Sequence, residues 1–267
     1  MRWFLQLGCF IFGLTLMLTA TAQEFRIETE VYQDDDSSPI SENLTLFQDN
    51  LIFDFMLPTD RTRFPEQIVI YRSQEREFIL LDTNRKVKTV IIEGEILKIV
   101  AALQNSEMAS SPDADFLFHP SFDNHYDDST GWLTLEHERL KYRAKGERPE
   151  DDSNLHRYYE FIDQFARLNA TDPRRMPPFA RLKFNNELKK YGFIPETVEI
   201  ELVPSADDPS SAIQLRTTHN VVWQLSEKDQ QRIQSARRYW IDFEKVSLAK
   251  FRNLRETAEL PSTNKKR

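Results

Sequence analysis

Between residues 42 and 103 the chain is written in short apolar runs broken by charged or turn-forming clusters. Leu44 and Leu46 alternate with polar neighbours. After Asp49-Asn50, residues Leu51, Phe53, Phe55 and Leu57 share one parity, while Ile52, Asp54 and Met56 share the other. Next come Ile68-Val69-Ile70-Tyr71, then Phe78-Ile79-Leu80-Leu81, then Val87, Thr89 and Ile91. Period-2 runs at this spacing predict an antiparallel meander. The period then changes: Ile96, Ile99, Val100 and Leu103 fall at i, i+3, i+4, i+7, one face of a helix ending near Gln104.

The flanking segments follow the same rules. Phe25, Ile27 and Val31 alternate with charges and predict a first strand over 24–32. Residues 120–131 are rich in turn formers and read as a loop, followed by paired strands at 132–136 and 140–143. The apolar parity switches between Leu133/Leu135 and Leu140/Tyr142, which predicts a tight turn or bulge near His137-Glu138-Arg139. Asp151-Asp152-Ser153 is an N-cap cluster for a helix to about Asn169. A second helix runs from Pro178, a favoured first-turn residue, to Gly192, a favoured terminator. Strands follow at 198–202, 213–215 and 221–223. Ser226 to Asp229 has the form of a capping box and opens a long helix expected over 227–258. The expected fold is α+β: a curved antiparallel β-sheet, a half-open barrel, packed against helices, with a long C-terminal helix.

The first 22 residues are patterned differently. Arg2 precedes an apolar run at 4–18, and Ala20-Thr21-Ala22 places small residues at −3 and −1. That is the form of a secretory signal peptide at 1–22, and an uncleaved anchor is the other reading. The remainder is expected to be a single sheet-plus-helix domain at 23–260 with a disordered basic tail at 261–267. No later run is long enough for a transmembrane segment after signal cleavage. The expected location is the periplasm or cell envelope, or outside the cell.

Composition narrows the chemistry. The formal charge is −8, so no nucleic-acid partner is expected. Of 6 glycines, Gly8 and Gly13 lie in the leader, and Gly94, Gly131, Gly146 and Gly192 are widely spaced. Phosphate-cradling loops need clustered glycine, and no G-x-G-x-x-G, Walker A or G-x-S-x-G motif is present. The one cysteine, Cys9, is in the leader, which leaves no thiol for a disulfide or zinc-thiolate site in the mature chain. No cofactor is expected, and the oligomeric state is not legible.

The runs Leu51-Ile52-Phe53-Asp54-Phe55-Met56-Leu57, Ile68-Val69-Ile70-Tyr71 and Glu77-Phe78-Ile79-Leu80-Leu81-Asp82, behind a signal peptide, resemble the outer-membrane lipoprotein carrier (LolA-like) family and its envelope lipid-binding and stress-sensor relatives. The resemblance covers roughly 24–103. It implies an exported protein whose antiparallel sheet folds into a half-open barrel around helices and holds acyl chains in the concavity. No residue corresponds to the basic side chain with which the carrier grips its cargo, so the resemblance assigns no site residue. Otherwise the chain is similar to exported bacterial proteins of unknown function.

Candidate chemistry is sparse. Phe53, Phe55, Ile70, Phe78 and Leu80 are the expected lining of an apolar groove for a lipid acyl chain or an apolar peptide. His119, Asp123 and His125, with Asp127 and Asp128, form the one cluster with metal-ligand chemistry, although polar side chains that fix turns explain the same residues. Asp54 is expected on the solvent face of its strand; buried, it would be a carboxyl with a raised pKa. Arg174, Arg175, Arg181, Lys183, Lys189 and Lys190 form a basic cluster that suits anionic head groups, an acidic partner or simply water. Trp240, Phe243, Phe251 and Leu254 form a helical stripe for core packing or a partner helix. The expected function is a non-enzymatic binding protein of the envelope. The alternatives are a metal-assisted hydrolase using the 119–128 loop, and an envelope scaffold docking through its C-terminal helix.

Overall fold

The computed structural model of the protein describes residues 24–59, 67–149, 151–203 and 212–252. The leader, the basic tail and Leu254 lie outside these residues. Alternating segments become strands β1 (Phe25–Gln33), β2 (Ser41–Gln48), β3 (Leu51–Leu57), β4 (Gln67–Arg72), β5 (Glu77–Asp82) and β6 (Val87–Ile92). Helix α1 (Glu93–Gln104) and the short α2 (Asp115–Phe118) follow. Then come β7 (Asp123–Asp127), β8 (Trp132–His137), β9 (Leu140–Glu147), α3 (Asp152–Asn169) and α4 (Phe179–Tyr191). The chain continues through β10 (Ile194–Leu202), β11 (Ile213–Val222), α5 (Glu227–Asp242) and the two-residue β12 (Glu244–Lys245).

The strands make one sheet in the order β12-β6-β5-β4-β3-β2-β1-β11-β10-β9-β8-β7. Its neighbours are antiparallel except β12, which runs parallel to β6. The sheet is curved and does not close, so the coarse α+β expectation holds. Local chemistry sets the register. Asp49-Asn50 is a two-residue turn between β2 and β3, with Asp49 at φ 49°, the left-handed geometry that tight hairpins need. The parity switch expected near residue 138 is the β8–β9 hairpin, where His137 pairs with Leu140.

Alternation puts two different cores on the two faces. On one face Phe47, Ile52, Tyr71 and Phe78 lie under α3, with Phe161 edge-on to Phe47 at 5.9 Å between ring centroids. The same face continues across β8–β10, where Tyr142 stacks on Phe184 of α4 at 4.7 Å. On the other face Leu46, Phe53, Phe55, Ile70 and Ile79 pack against Ile233, Ala236 and Phe243 of the α5 region. Fully burying a side chain of this size contributes about 1.5–3 kcal/mol, so both helical layers are structural.

Three elements depart from expectation. The long C-terminal helix stops at Asp242. Its apolar residues belong to opposite faces of the sheet: Phe243 faces the α5 core, whereas Val246 and Phe251 join the α3 core. One straight helix cannot reach both, so the chain unwinds, pairs with the edge of β6 and restarts as helix at residue 248. Lys88 of β6 donates to the carbonyls of Trp240 and Ile241, supplying a cation at the C-terminus of α5. Second, part of the expected 120–131 loop is β7, which pairs with β8; Tyr126 stacks on Tyr191 at 4.3 Å. Third, the expected pair at 213–215 and 221–223 is the single strand β11, whose polar middle faces β1 and β10.

Candidate functional site

The five groove candidates do not share a face. Phe53, Phe55 and Ile70 point to the α5 side, and Phe78 and Leu80 to the α3 side. The reason is parity: Phe53 pairs with Ile70 and Ile70 with Ile79, so Phe78 and Leu80 fall on the opposite face. All five are at most 5 % exposed. Phe53, Phe55, Ile70 and Phe78 are core residues beneath helices. Leu80 alone also lines a crevice, together with Met56, Val69, Phe165, Leu168 and Phe251. Gln67, Ile68, Leu81, Asn169, Asp172, Arg175 and Arg252 complete its wall. Its volume is ≈ 60 Å³, well below the roughly 150 Å³ of a cavity known to take benzene.

The metal cluster is not assembled. His125 is exposed on β7 opposite Thr134, Asp123 sits opposite Glu136, and His119 contacts Asp115 at 3.0 Å after α2. Asp127 spends its carboxylate on Ser129 and Thr130, which lowers its pKa to about 2. Among the described residues no group of three His, Cys, Asp or Glu side chains is placed to share an ion. The turn-fixing role accounts for the Asp127 contacts.

Asp54 overturns its expected exposure. It shares a face with Ile52, and is 6 % exposed. Thr45 Oγ1 donates to its carboxylate at 2.8 Å and Asn43 Nδ2 at 3.1 Å. Burial nevertheless raises its pKa to about 6, against the two hydrogen bonds. The polar floor continues sideways. Asn43 is register partner to Thr29, and Thr29 to His219, whose Nδ1 lies 2.9 Å from Thr29 Oγ1. His219 is held down to about pKa 3, by desolvation first and by the Arg181 charge second. Its imidazole is therefore neutral at physiological pH. Asn43 is also opposite Met56, so this polar line abuts the crevice. Sequence reasoning missed Thr29, Asn43, Thr45 and His219 because each is one polar residue in an otherwise ordinary strand. The available signal was their common parity with Asp54 once the register was known.

The basic cluster is dispersed. Arg174 pairs with Asp172, Lys189 with Asp163 and Lys190 with Glu187. Lys183 is exposed. Arg181, by contrast, is half-buried with its guanidinium 5.3 Å from the Phe184 ring centroid. On the opposite face of the sheet, β8–β11 present a polar surface in which Arg143 bonds Glu199 and Lys141 bonds Glu136, each at 2.7 Å. Those charges satisfy one another. With this geometry in view, comparison with known proteins adds no assignment: no protein-family model matches the chain, and no curated protein is similar to it.

Proposed function

We propose that this is an exported, non-enzymatic binding protein of the cell envelope that holds an apolar chain, in the first instance an acyl tail, against the α3 side of its open sheet. One observation carries the reading. Met56, one of the apolar crevice residues with Val69, Leu80, Phe165, Leu168 and Phe251, is the register partner of Asn43 in the polar line from Asp54 to His219, so the sheet passes here from an apolar lining to polar positions. Such a lining suits an amphipathic ligand, because apolar burial supplies affinity and a few placed polar groups fix orientation. The resemblance of residues 24–103 to lipoprotein carriers supports the same class of cargo.

The crevice is small, so binding a full chain moves the Phe251 side chain, which closes one wall. Phe251 sits in the short segment that restarts after β12 and is held by Arg252, whose guanidinium bonds Thr171 Oγ1 at 2.6 Å and approaches Asp172 at 3.4 Å. The test is native mass spectrometry of protein purified without detergent, followed by titration with palmitate. Lipid adducts that vanish in Leu80→Arg support the proposal, and a peptide adduct would redirect it to an apolar segment. Protein that carries no adduct and does not take up palmitate would overturn it.

A further inference from the structure

A cleft of ≈ 350 Å³ opens between α1 and α3, within the roughly 300–1,000 Å³ of small-molecule sites. Three cations and three carboxylates line it, and most of them answer one another. Arg76 holds Glu93 with two nitrogens, and Lys189 holds Asp163. Two charges are left over. Arg167 is half-buried, and its guanidinium has no ion pair, hydrogen bond or ring contact among the described residues. Its place in the last turn of α3 suits a cation but supplies no counter-ion. Glu160 accepts one hydrogen bond, from the Tyr71 hydroxyl at 3.0 Å, and has no ion pair among the described residues. Between them in sequence stands Gln164, which is 8 % exposed. Its Nε2 donates to Glu93 at 2.8 Å, while its Oε1 has no donor among the described residues. A buried acceptor without a donor is uncommon in a native protein and calls for an explanation. Glu160, Gln164 and Arg167 fall at i, i+4 and i+7, one stripe of α3, and all three line the same cleft. Glu160 and Arg167 stand about 10 Å apart along the helix at ~1.5 Å per residue, and they do not pair with each other.

We propose that this cleft binds a small zwitterion, a free amino acid with an aliphatic side chain. Its ammonium sits between Glu160 and Gln164 Oε1, and its carboxylate sits one turn further along α3, at Arg167. The ligand then supplies what each group lacks: a cation and donor at one end, an anion at the other. Oε1 is sealed from solvent, so the Gln164 amide turns toward the cleft to meet the ammonium. A lone anion or a lone cation fits less well. The six charges of the lining are already balanced, and either ion would leave one in excess, whereas a zwitterion answers both Glu160 and Arg167 and keeps the balance. Leu97, 45 % exposed on the α1 wall, offers apolar surface for an aliphatic side chain to cover. None of these residues lines the crevice proposed for an acyl tail, so this inference and that reading stand apart.

The test is calorimetry with L-leucine and two half-analogues: 4-methylpentanoate, which lacks the ammonium, and 3-methylbutylamine, which lacks the carboxylate. The proteins are the parent, Glu160→Gln, Arg167→Gln and the exposed control Lys183→Gln, each checked by thermal unfolding. Leucine should bind the parent about tenfold tighter, or more, than either half-analogue, the loss expected when a charged partner goes unanswered. Arg167→Gln should weaken leucine by a similar factor and leave 3-methylbutylamine unchanged. Glu160→Gln should weaken leucine likewise and leave 4-methylpentanoate unchanged, and Lys183→Gln should alter nothing. The order of the three probes on the parent decides the matter on its own where a variant does not fold. Leucine that binds no tighter than either half-analogue, leucine binding indifferent to both substitutions, or no leucine binding at millimolar concentration would overturn the proposal.

Discussion

Replacing Asp54 by Asn removes a buried carboxyl while keeping its shape, and its effect should depend on pH in a sense the structure fixes. The carboxyl is 6 % exposed, and its pKa is raised from 3.8 to about 6. Between those values the unfolded chain has lost the proton and the native protein still holds it. Unfolding therefore releases a proton, and rising pH favours the unfolded state. The stability linked to this group is fully present below pH 3.8 and is lost as the pH passes about 6. A shift of this size corresponds to about 3 kcal/mol at ~1.4 kcal/mol per pH unit. Asp54→Asn is free of that penalty, although its amide nitrogen meets Asn43 Nδ2 unless Asn43 rotates its own amide. Loss of that one hydrogen bond costs about 1 kcal/mol at every pH. The variant should be about 1 kcal/mol less stable than the parent at pH 3.5 and about 2 kcal/mol more stable at pH 8. Urea unfolding followed by tryptophan fluorescence at five pH values across this range measures the difference. A stability gap that stays constant with pH would refute a perturbed carboxyl at this position.

Other consequences are simpler to state. Asp172 is 4 % exposed and is paired with Arg174 and Arg252, and its pKa is lowered to about 2. Its contribution is present above pH 3.8 and lost as the pH falls through about 2, so Asp172→Asn should cost roughly 3 kcal/mol at pH 7 and far less at pH 2, again by urea unfolding. Phe53→Ala, at 0 % exposure beneath α5, should cost about 3–5 kcal/mol; a loss under 1 kcal/mol would mean that α5 is not a structural layer. A Cβ at Gly146 would collide with the Ile194 carbonyl oxygen where β10 bulges, so Gly146→Ala should lower stability by about 1–3 kcal/mol, read from the melting temperature.

Much of the architecture is legible from local pattern alone. The N-cap at Asp151, the capping box of Ser226 with Asp229 and the left-handed terminator Gly192 all appear where short-range chemistry puts them. The meander is read correctly because period-2 alternation survives any tertiary arrangement. What the pattern cannot supply is which face of one strand meets which face of the next. Phe53 and Phe78 look equivalent as residues in apolar runs, yet a register set by two hairpins places them in different cores. The break after Asp242 is hidden for the same reason: Phe243 and Phe251 keep helical spacing although they belong to opposite sides of the sheet. The polar floor is invisible for a third reason. Thr29, Asn43, Asp54 and His219 come from four strands and up to 190 positions apart, and only pairing brings them together.

The central claim is that an apolar chain lies in the cleft between α3 and the sheet. Photo-crosslinking with a palmitate analogue carrying a diazirine near its methyl end, followed by peptide mass spectrometry, examines that cleft directly. The account predicts labels on Met56, Leu80, Phe165, Leu168 or Phe251, suppressed by excess palmitate. Labels confined to α5 or to the charged surface of β8–β11, or labels that excess palmitate does not suppress, would contradict it.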